Sequence, residues 1–179
     1  RYEISNNGSG QESTIKCICS TVISEGGQQG SGYNYTIDRD ANPLTVTTSN
    51  TQHPLISIRL QSGREAANIF IESVNVISTS NNVVFRWCLY LNPTFSTSII
   101  FTSGSPFTAM EYNNTTNETV TITGGKIIYS GYGVGKNENL SVSQLAAKFS
   151  LGTSILGVSD VLVLAVQRLD NNQNTFYAS

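Results

Sequence analysis

Val83-Val84-Phe85-Arg86-Trp87-Cys88-Leu89-Tyr90-Leu91, closed by Asn92-Pro93, is the stretch that decides the fold. Successive side chains of an extended strand point to opposite faces, so Val83, Phe85, Trp87, Leu89 and Leu91 share one side. Aromatic and β-branched residues dominate that side, as expected of a strand facing a core. Asn81-Asn82 turns the chain into the stretch and Asn92-Pro93 stops it, since proline cannot donate to a ladder. Trp87 is therefore expected in the core between two sheets.

The same period of two recurs on either side. Residues 13–25 place Ile15, Cys17, Cys19 and Ile23 on one face, and a glycine-rich loop follows over 26–32. Residues 33–38 and 44–48 read as short strands around an Asn42-Pro43 turn. Pro54 opens a segment over 55–61 with Ile56, Ile58 and Leu60 inward and Ser57, Arg59 and Gln61 outward. The apolar set of residues 68–78 changes face near Glu72-Ser73, which predicts a bulge or kink. A looser stretch holds a strand near 107–112. Gly124-Gly125, between residues 119–123 and 126–130, is a two-residue hairpin signal. Residues 139–150 give the one helix candidate, through Leu140, Leu145 and Phe149. Residues 160–169 are apolar on both faces and predict a central, doubly covered strand. A turn at 171–174 leads to a last strand over 175–178. The expectation is an all-β protein, a two-sheet jelly-roll-like sandwich with one short helix. One domain spans residues 1–179, and a start at Arg1 rather than Met reads as the C-terminal part of a longer chain.

Composition narrows the function. The net charge is −2 and 12% of residues are charged, about half the usual share. Ten scattered Lys and Arg form no stripe for a phosphate backbone, which argues against nucleic acid as a partner. No apolar run reaches the length of a membrane span. Cys17, Cys19 and Cys88 are an odd set, so they read as buried free thiols made in a reducing compartment such as host cytoplasm.

Several runs together carry a resemblance. They are the opening Arg1-Tyr2-Glu3-Ile4-Ser5-Asn6, the run from Thr14 to Gly27, Pro54-Leu55-Ile56-Ser57-Ile58-Arg59-Leu60, Trp87-Cys88-Leu89-Tyr90-Leu91-Asn92-Pro93 and Leu162-Val163-Leu164-Ala165-Val166. In this order they resemble the C-terminal domains of virion structural proteins from environmental phages and large DNA viruses. The resemblance covers nearly the whole chain, but its motifs are core strands and turns. It implies a β fold and a place in the virion, and it carries over no functional residue.

Chemistry-bearing motifs are sparse. His53 is the one histidine, so any serine or cysteine triad needs it; beside Pro54 it reads as a turn residue. HExxH, Gly-x-Ser-x-Gly and Walker patterns are absent. The glycines of 26–32 and Gly131-Tyr132-Gly133-Val134-Gly135 join no strand to a helix, so they read as flexible hairpin loops rather than phosphate cradles. Asp38, Asp40, Glu65, Glu72, Glu111, Glu118 and Asp160 are the acids from which a glycosidase pair would be drawn. Asp38-Arg39-Asp40 reads as a solvated turn before a calcium loop. No cofactor, metal or catalytic residue is assigned. Tyr33, Tyr35, Tyr129 and Tyr132 are candidate contacts for a glycan or another subunit, because tyrosine joins a flat apolar face to a polar tip.

The function expected is non-enzymatic: a viral particle structural protein of decoration, head-fibre or minor-capsid type. A receptor- or glycan-binding tail-fibre tip is the alternative, and an appendage glycosidase the third. The expected partners are copies of the chain itself, as a homotrimer by analogy with jelly-roll virion proteins, other virion proteins and a host-surface glycan. Self-association follows from scarce charge and from strands apolar on both faces. A two-layer sandwich needs one apolar face per strand, so the second face must meet the helix, a long loop or a neighbouring subunit.

Overall fold

The computed structural model describes residues 34–80, 82–134, 150–153 and 157–179. The chain divides into two compact units, Arg1–Gly32 and Tyr33–Ser179, and every described residue belongs to the second. The Cys17–Cys19 strand, the glycine loop at 26–32, Tyr33 and the helix candidate at 139–150, except for Ser150, which is in a strand, lie outside the described residues.

Described residues form strands and loops with no helix. The strands are β1 Leu44–Val46, β2 Gln52–Leu60, β3 Ile69–Phe70, β4 Val76–Ser78, β5 Val84–Leu91, β6 Thr94–Phe95 and β7 Thr102–Ser103. They continue with β8 Met110–Asn113, β9 Ile122–Thr123, β10 Lys126–Val134, β11 Ser150–Leu151, β12 Val161–Arg168 and β13 Asn174–Ala178. A six-stranded sheet has the order β10-β5-β12-β2-β8-β7, and a three-stranded sheet has the order β1-β13-β4. Two ribbons, β11-β3 and β6-β9, complete the set. Within the large sheet only β7 and β8 are both paired and adjacent in sequence. The fold is an all-β sandwich built on long-range antiparallel pairing.

The central strands obey their alternation. Val83, Phe85, Trp87 and Leu89 are buried in the main core with Ile56, Ile58, Leu162, Leu164 and Val166. Leu44 and Val46 of β1, Val76 of β4 and Phe176 of β13 close that core from the small sheet. The rings of Phe85 and Phe176 meet edge to face, with centroids 5.1 Å apart, and join the two sheets. β12 lies between β5 and β2 and is buried on both faces, as its composition predicts.

The second faces of β5 and β12 are covered within the chain over part of their length, while Val84 of β5 stays exposed. Cys88, Tyr90, Val163 and Ala165 form a second cluster with Ile122 of β9, against which Phe95 of β6 packs. The cover over this cluster is the β6-β9 ribbon.

Other expectations are corrected. Residues 34–38 form no strand. Pro54 does not open its strand, because β2 begins at Gln52. Pro54 sits beside a register shift at which Leu164 pairs Ile56 and Ala165 pairs Pro54. Leu55 is the extra residue of that bulge, and bulges are where a strand tolerates proline. Residues 68–78 are not one kinked strand: β3 joins β11, whereas β4 joins the small sheet. Phe107 stands in a turn ahead of β8 and is 70% exposed. Gly124 and Gly125 have φ of 64° and 72°, the sign of a type I′ turn. Yet β9 leaves the turn to pair β6 and β10 leaves it to pair β5, so the turn reverses the chain without closing a hairpin. β13 pairs β1 and β4 instead of returning to β12.

Gly131 and Gly133 belong to strand β10, not to a loop. They lie opposite Trp87 and Phe85. A Cβ on Gly131 would stand 2.7 Å from the indole, and one on Gly133 would stand 2.3 Å from the Phe85 ring. Glycine is required by the two aromatic rings of β5, which lie across the neighbouring strand.

Candidate functional site

Polar chemistry gathers where loop 38–43, the β1–β2 turn and segment 114–120 meet. Arg39, flanked by two aspartates, turns inward and is 2% exposed. Its Nε donates to Asn42 O at 2.9 Å, and its Nη1 donates to Leu55 O at 2.6 Å and to Thr116 Oγ1 at 3.0 Å. Its Nη2 donates to Thr116 O. The acceptors are carbonyls and one hydroxyl, so burial dominates and lowers the guanidinium pKa to about 10. A buried cation satisfied by carbonyls ties three chain segments together. Nothing in Asp38-Arg39-Asp40 signals this, since the run reads as a surface turn. Thr116 extends the knot by donating to Pro54 O at 2.7 Å.

An open cleft of about 390 Å³ lies over this knot, lined by Arg39, Asn42, Thr45, Thr115, Asn117 and Glu118 among others. Glu118 accepts from the Thr47 backbone N–H at 2.7 Å and from its hydroxyl at 2.9 Å. These bonds hold its carboxyl below the usual range.

His53 lies inside β2 rather than in a turn and is 1% exposed. Its Nδ1 is 3.3 Å from Val120 O and its Nε2 is 2.9 Å from Thr48 Oγ1. A carbonyl only accepts, so Nδ1 carries the proton and Nε2 accepts from the Thr48 hydroxyl. Burial is the main influence on the ring and pushes its pKa down. The imidazole is a neutral bridge from the β1–β2 turn to the loop before β9. Thr48 was not singled out in the sequence, because a hydroxyl among so many Ser and Thr gives no signal.

The acids are dispersed. Glu111 pairs with Arg59 at 2.8 Å, whose guanidinium also lies 4.2 Å from the centre of the Phe101 ring. Asp160 accepts from Asn92 Nδ2 at 2.7 Å. Glu65 accepts from the Gly63 N–H at 2.8 Å, which lowers its pKa. A glycosidase general acid needs a raised pKa, and both displaced glutamates move the other way. Among the described residues no group of three His, Cys, Asp or Glu side chains is placed to hold a metal ion.

The candidate tyrosines are not brought together. Tyr35 is 42% exposed, donates to Gly104 O at 3.1 Å and lies 6.0 Å from the Tyr112 ring. Tyr129 and Tyr132 stand on β10, the opposite edge of the large sheet from β7. Tyr129 stacks on Trp87, with centroids 5.5 Å apart, on the core side. Tyr132 is 62% exposed, lies opposite Arg86 and faces the other way. What the structure gathers instead is apolar exposure along β10, with Ile127, Tyr129 and Tyr132 all more than 40% exposed.

No known family model, curated protein or solved structure matches this chain.

Proposed function

We propose that the chain is a structural subunit of a viral particle, of decoration, head-fibre or minor-capsid type, and that it works by self-assembly and packing on the virion. The observation that carries this reading is the surface of β10. A nine-residue strand at the rim of a sheet bears exposed Ile127, Tyr129 and Tyr132 in a chain with 12% charged residues. Soluble monomers normally blunt such strands with charge. Subunits that pack against one another use them.

Burial raises the pKa of the free Cys88 thiol, which keeps it protonated and unreactive. That supports assembly in a reducing host cytoplasm. The scattered tyrosines give less support to a glycan-binding tip, since no two of the described candidates share a face within stacking reach. The test is quantitative mass spectrometry of density-purified, nuclease-treated particles. A copy number in fixed ratio to the major shell protein is expected. Absence of the chain from intact particles would overturn the reading.

A further inference from the structure

We infer that the large-sheet face beyond the β6-β9 ribbon binds a carboxylate-bearing sugar, with Arg86 holding the carboxylate and Tyr132 the sugar ring. The inference goes beyond particle assembly and does not depend on it. Four strands contribute one row. Gln52 of β2 lies opposite Gln167 of β12, Gln167 opposite Arg86 of β5, and Arg86 opposite Tyr132 of β10. Directly opposed residues of neighbouring strands share a face, so the four side chains stand side by side. Two residues along β5 on that face, Cys88 is buried under the ribbon. At the row the cover has ended: Arg86 is half-buried, Tyr132 is 62% exposed, and Val84 beyond it is exposed as well.

Arg39, Arg59 and Arg168 each find an acceptor within the chain. No described residue accepts from the Arg86 guanidinium. Its Nε is buried, so packing fixes the stem, whereas Nη1 and Nη2 stay open to solvent. The result is an end-on fork of donors with nothing to receive them. The Asp170 carboxylate, near this end of β5, is already engaged by Arg168 at 3.4 Å and by the N–H groups of Val84 and Asn172 at 3.0 and 3.1 Å. Gln52 Nε2 donates to Gln167 Oε1 at 2.7 Å, which leaves Gln167 Nε2 as a further open donor beside the fork.

These neighbours name the ligand. A planar carboxylate accepts two parallel N–H bonds from a guanidinium. Tyr132 joins a flat apolar face to a polar tip, which suits the C–H face of a sugar ring. Neighbouring strands lie about 4.8 Å apart, so Gln167, Arg86 and Tyr132 span about 10 Å, room for a short oligosaccharide rather than a lone small anion. A protein docked here would bury the amides and the fork together, and each would need an acceptor. A sugar rich in hydroxyls supplies those acceptors and leaves the rim of the row wet. The pattern gave Tyr132 alone, because only the register of β10 on β5 sets it beside Arg86.

The experiment is saturation-transfer difference NMR on the full chain with sialyllactose, a hyaluronan tetrasaccharide, neutral lactose and a tri-glutamate peptide. Saturation of at least one of the two acidic sugars, with a Kd on the order of 1 mM, and none of lactose is expected. Arg86→Gln keeps a polar stem and removes the fork, and should weaken binding at least about tenfold. Arg86→Lys, which keeps the charge without the fork, should fall between the two. Tyr132→Ala should weaken binding severalfold, and Arg59→Gln, on another part of the sheet, should leave it unchanged. Circular dichroism checks that each variant folds; if Arg86→Gln does not, Tyr132→Ala at its exposed position decides. Lactose bound as well as the acidic sugars, neither acidic sugar bound, or binding undiminished in Arg86→Gln or in Tyr132→Ala would each overturn the inference. Tighter binding of the tri-glutamate peptide would reassign the face to an acidic protein partner and overturn the sugar. None of these outcomes bears on the copy number of the chain in particles, so the two readings fail separately.

Discussion

The indole of Trp87 is 3% exposed, stacked by Tyr129 and laid across Gly131. Truncating it leaves a cavity beneath β10, so Trp87→Ala is expected to cost about 3–5 kcal/mol. Its Nε1 is buried and finds no acceptor among the described residues. Trp87→Phe, which removes that unmet donor and keeps most of the ring, is expected to cost less than half as much. The complementary change is Gly133→Ala, whose new methyl would meet the Phe85 ring, itself 1% exposed. Overpacking of about 1–3 kcal/mol is expected, although Gly133 does not have the positive φ that would otherwise explain a glycine. Urea unfolding followed by tryptophan fluorescence, or by circular dichroism for the Trp87 variants, measures all three. A neutral Gly133→Ala would show that Phe85 is free to swing and that the ring does not set the glycine. The sequence displayed both halves of this lock, Phe85-x-Trp87 and Gly131-x-Gly133. Their pairing depends on a β10–β5 register that no local pattern encodes, which is why the glycines read as a loop.

At the scale of elements, legibility followed how much of each signal is local. β5 and β12 could be read because alternation and doubly apolar composition are properties of a single strand. The small-sheet strands β1, β4 and β13 could be placed as strands, but their partners lie at sequence distances where periodicity is silent. The Gly124-Gly125 turn was legible in conformation and misleading in consequence, since its two arms enter different sheets. The buried arginines were illegible for the opposite reason. Arg39 donates to the carbonyls of Leu55 and Thr116, and Arg168 to that of Val46, all distant in sequence, and a sequence does not show where carbonyls will point. The β6–β9 ribbon is the element whose role has the clearest test. With Phe95 and Ile122 it lies over Cys88, which is fully buried. Phe95→Ala, at a half-buried position, should thin that cover without unfolding the sheet. Labelling of Cys88 by a maleimide in the native state, located by peptide mass, is expected to accelerate at least about tenfold, the equivalent of about 1.4 kcal/mol in local opening. An unchanged rate would mean that Cys88 is protected by the sheet itself and that the ribbon is dispensable.

At the scale of the whole molecule, acid should loosen the fold through the end where three segments converge. His53 bridges Thr48 and Val120 O as a neutral ring, and its pKa lies below the ordinary value, chiefly because burial disfavours the charged form. Glu118, which stands near enough to oppose that shift, does not outweigh it. The unfolded chain takes up a proton on this histidine near pH 6.5, while the folded chain resists until its lower pKa is reached. Between those two values the unfolded state binds more protons, so stability is intact above about pH 6.5 and falls as pH drops toward the folded pKa. The slope from one such group is at most about 1.4 kcal/mol per pH unit. Glu118 adds loss in the same direction at lower pH, because its folded pKa is depressed by the Thr47 donors and its contribution disappears once the carboxyl protonates. His53→Gln offers an amide N–H toward Val120 O and a carbonyl toward the Thr48 hydroxyl, and it cannot titrate. Melting temperatures taken from pH 8 to pH 5 at one fixed protein concentration, as linkage to self-association requires, should fall below pH 6.5 in the parent and stay flat in His53→Gln down to the carboxylate range. Parallel curves for the two proteins would place the acid sensitivity elsewhere and remove His53 from this role.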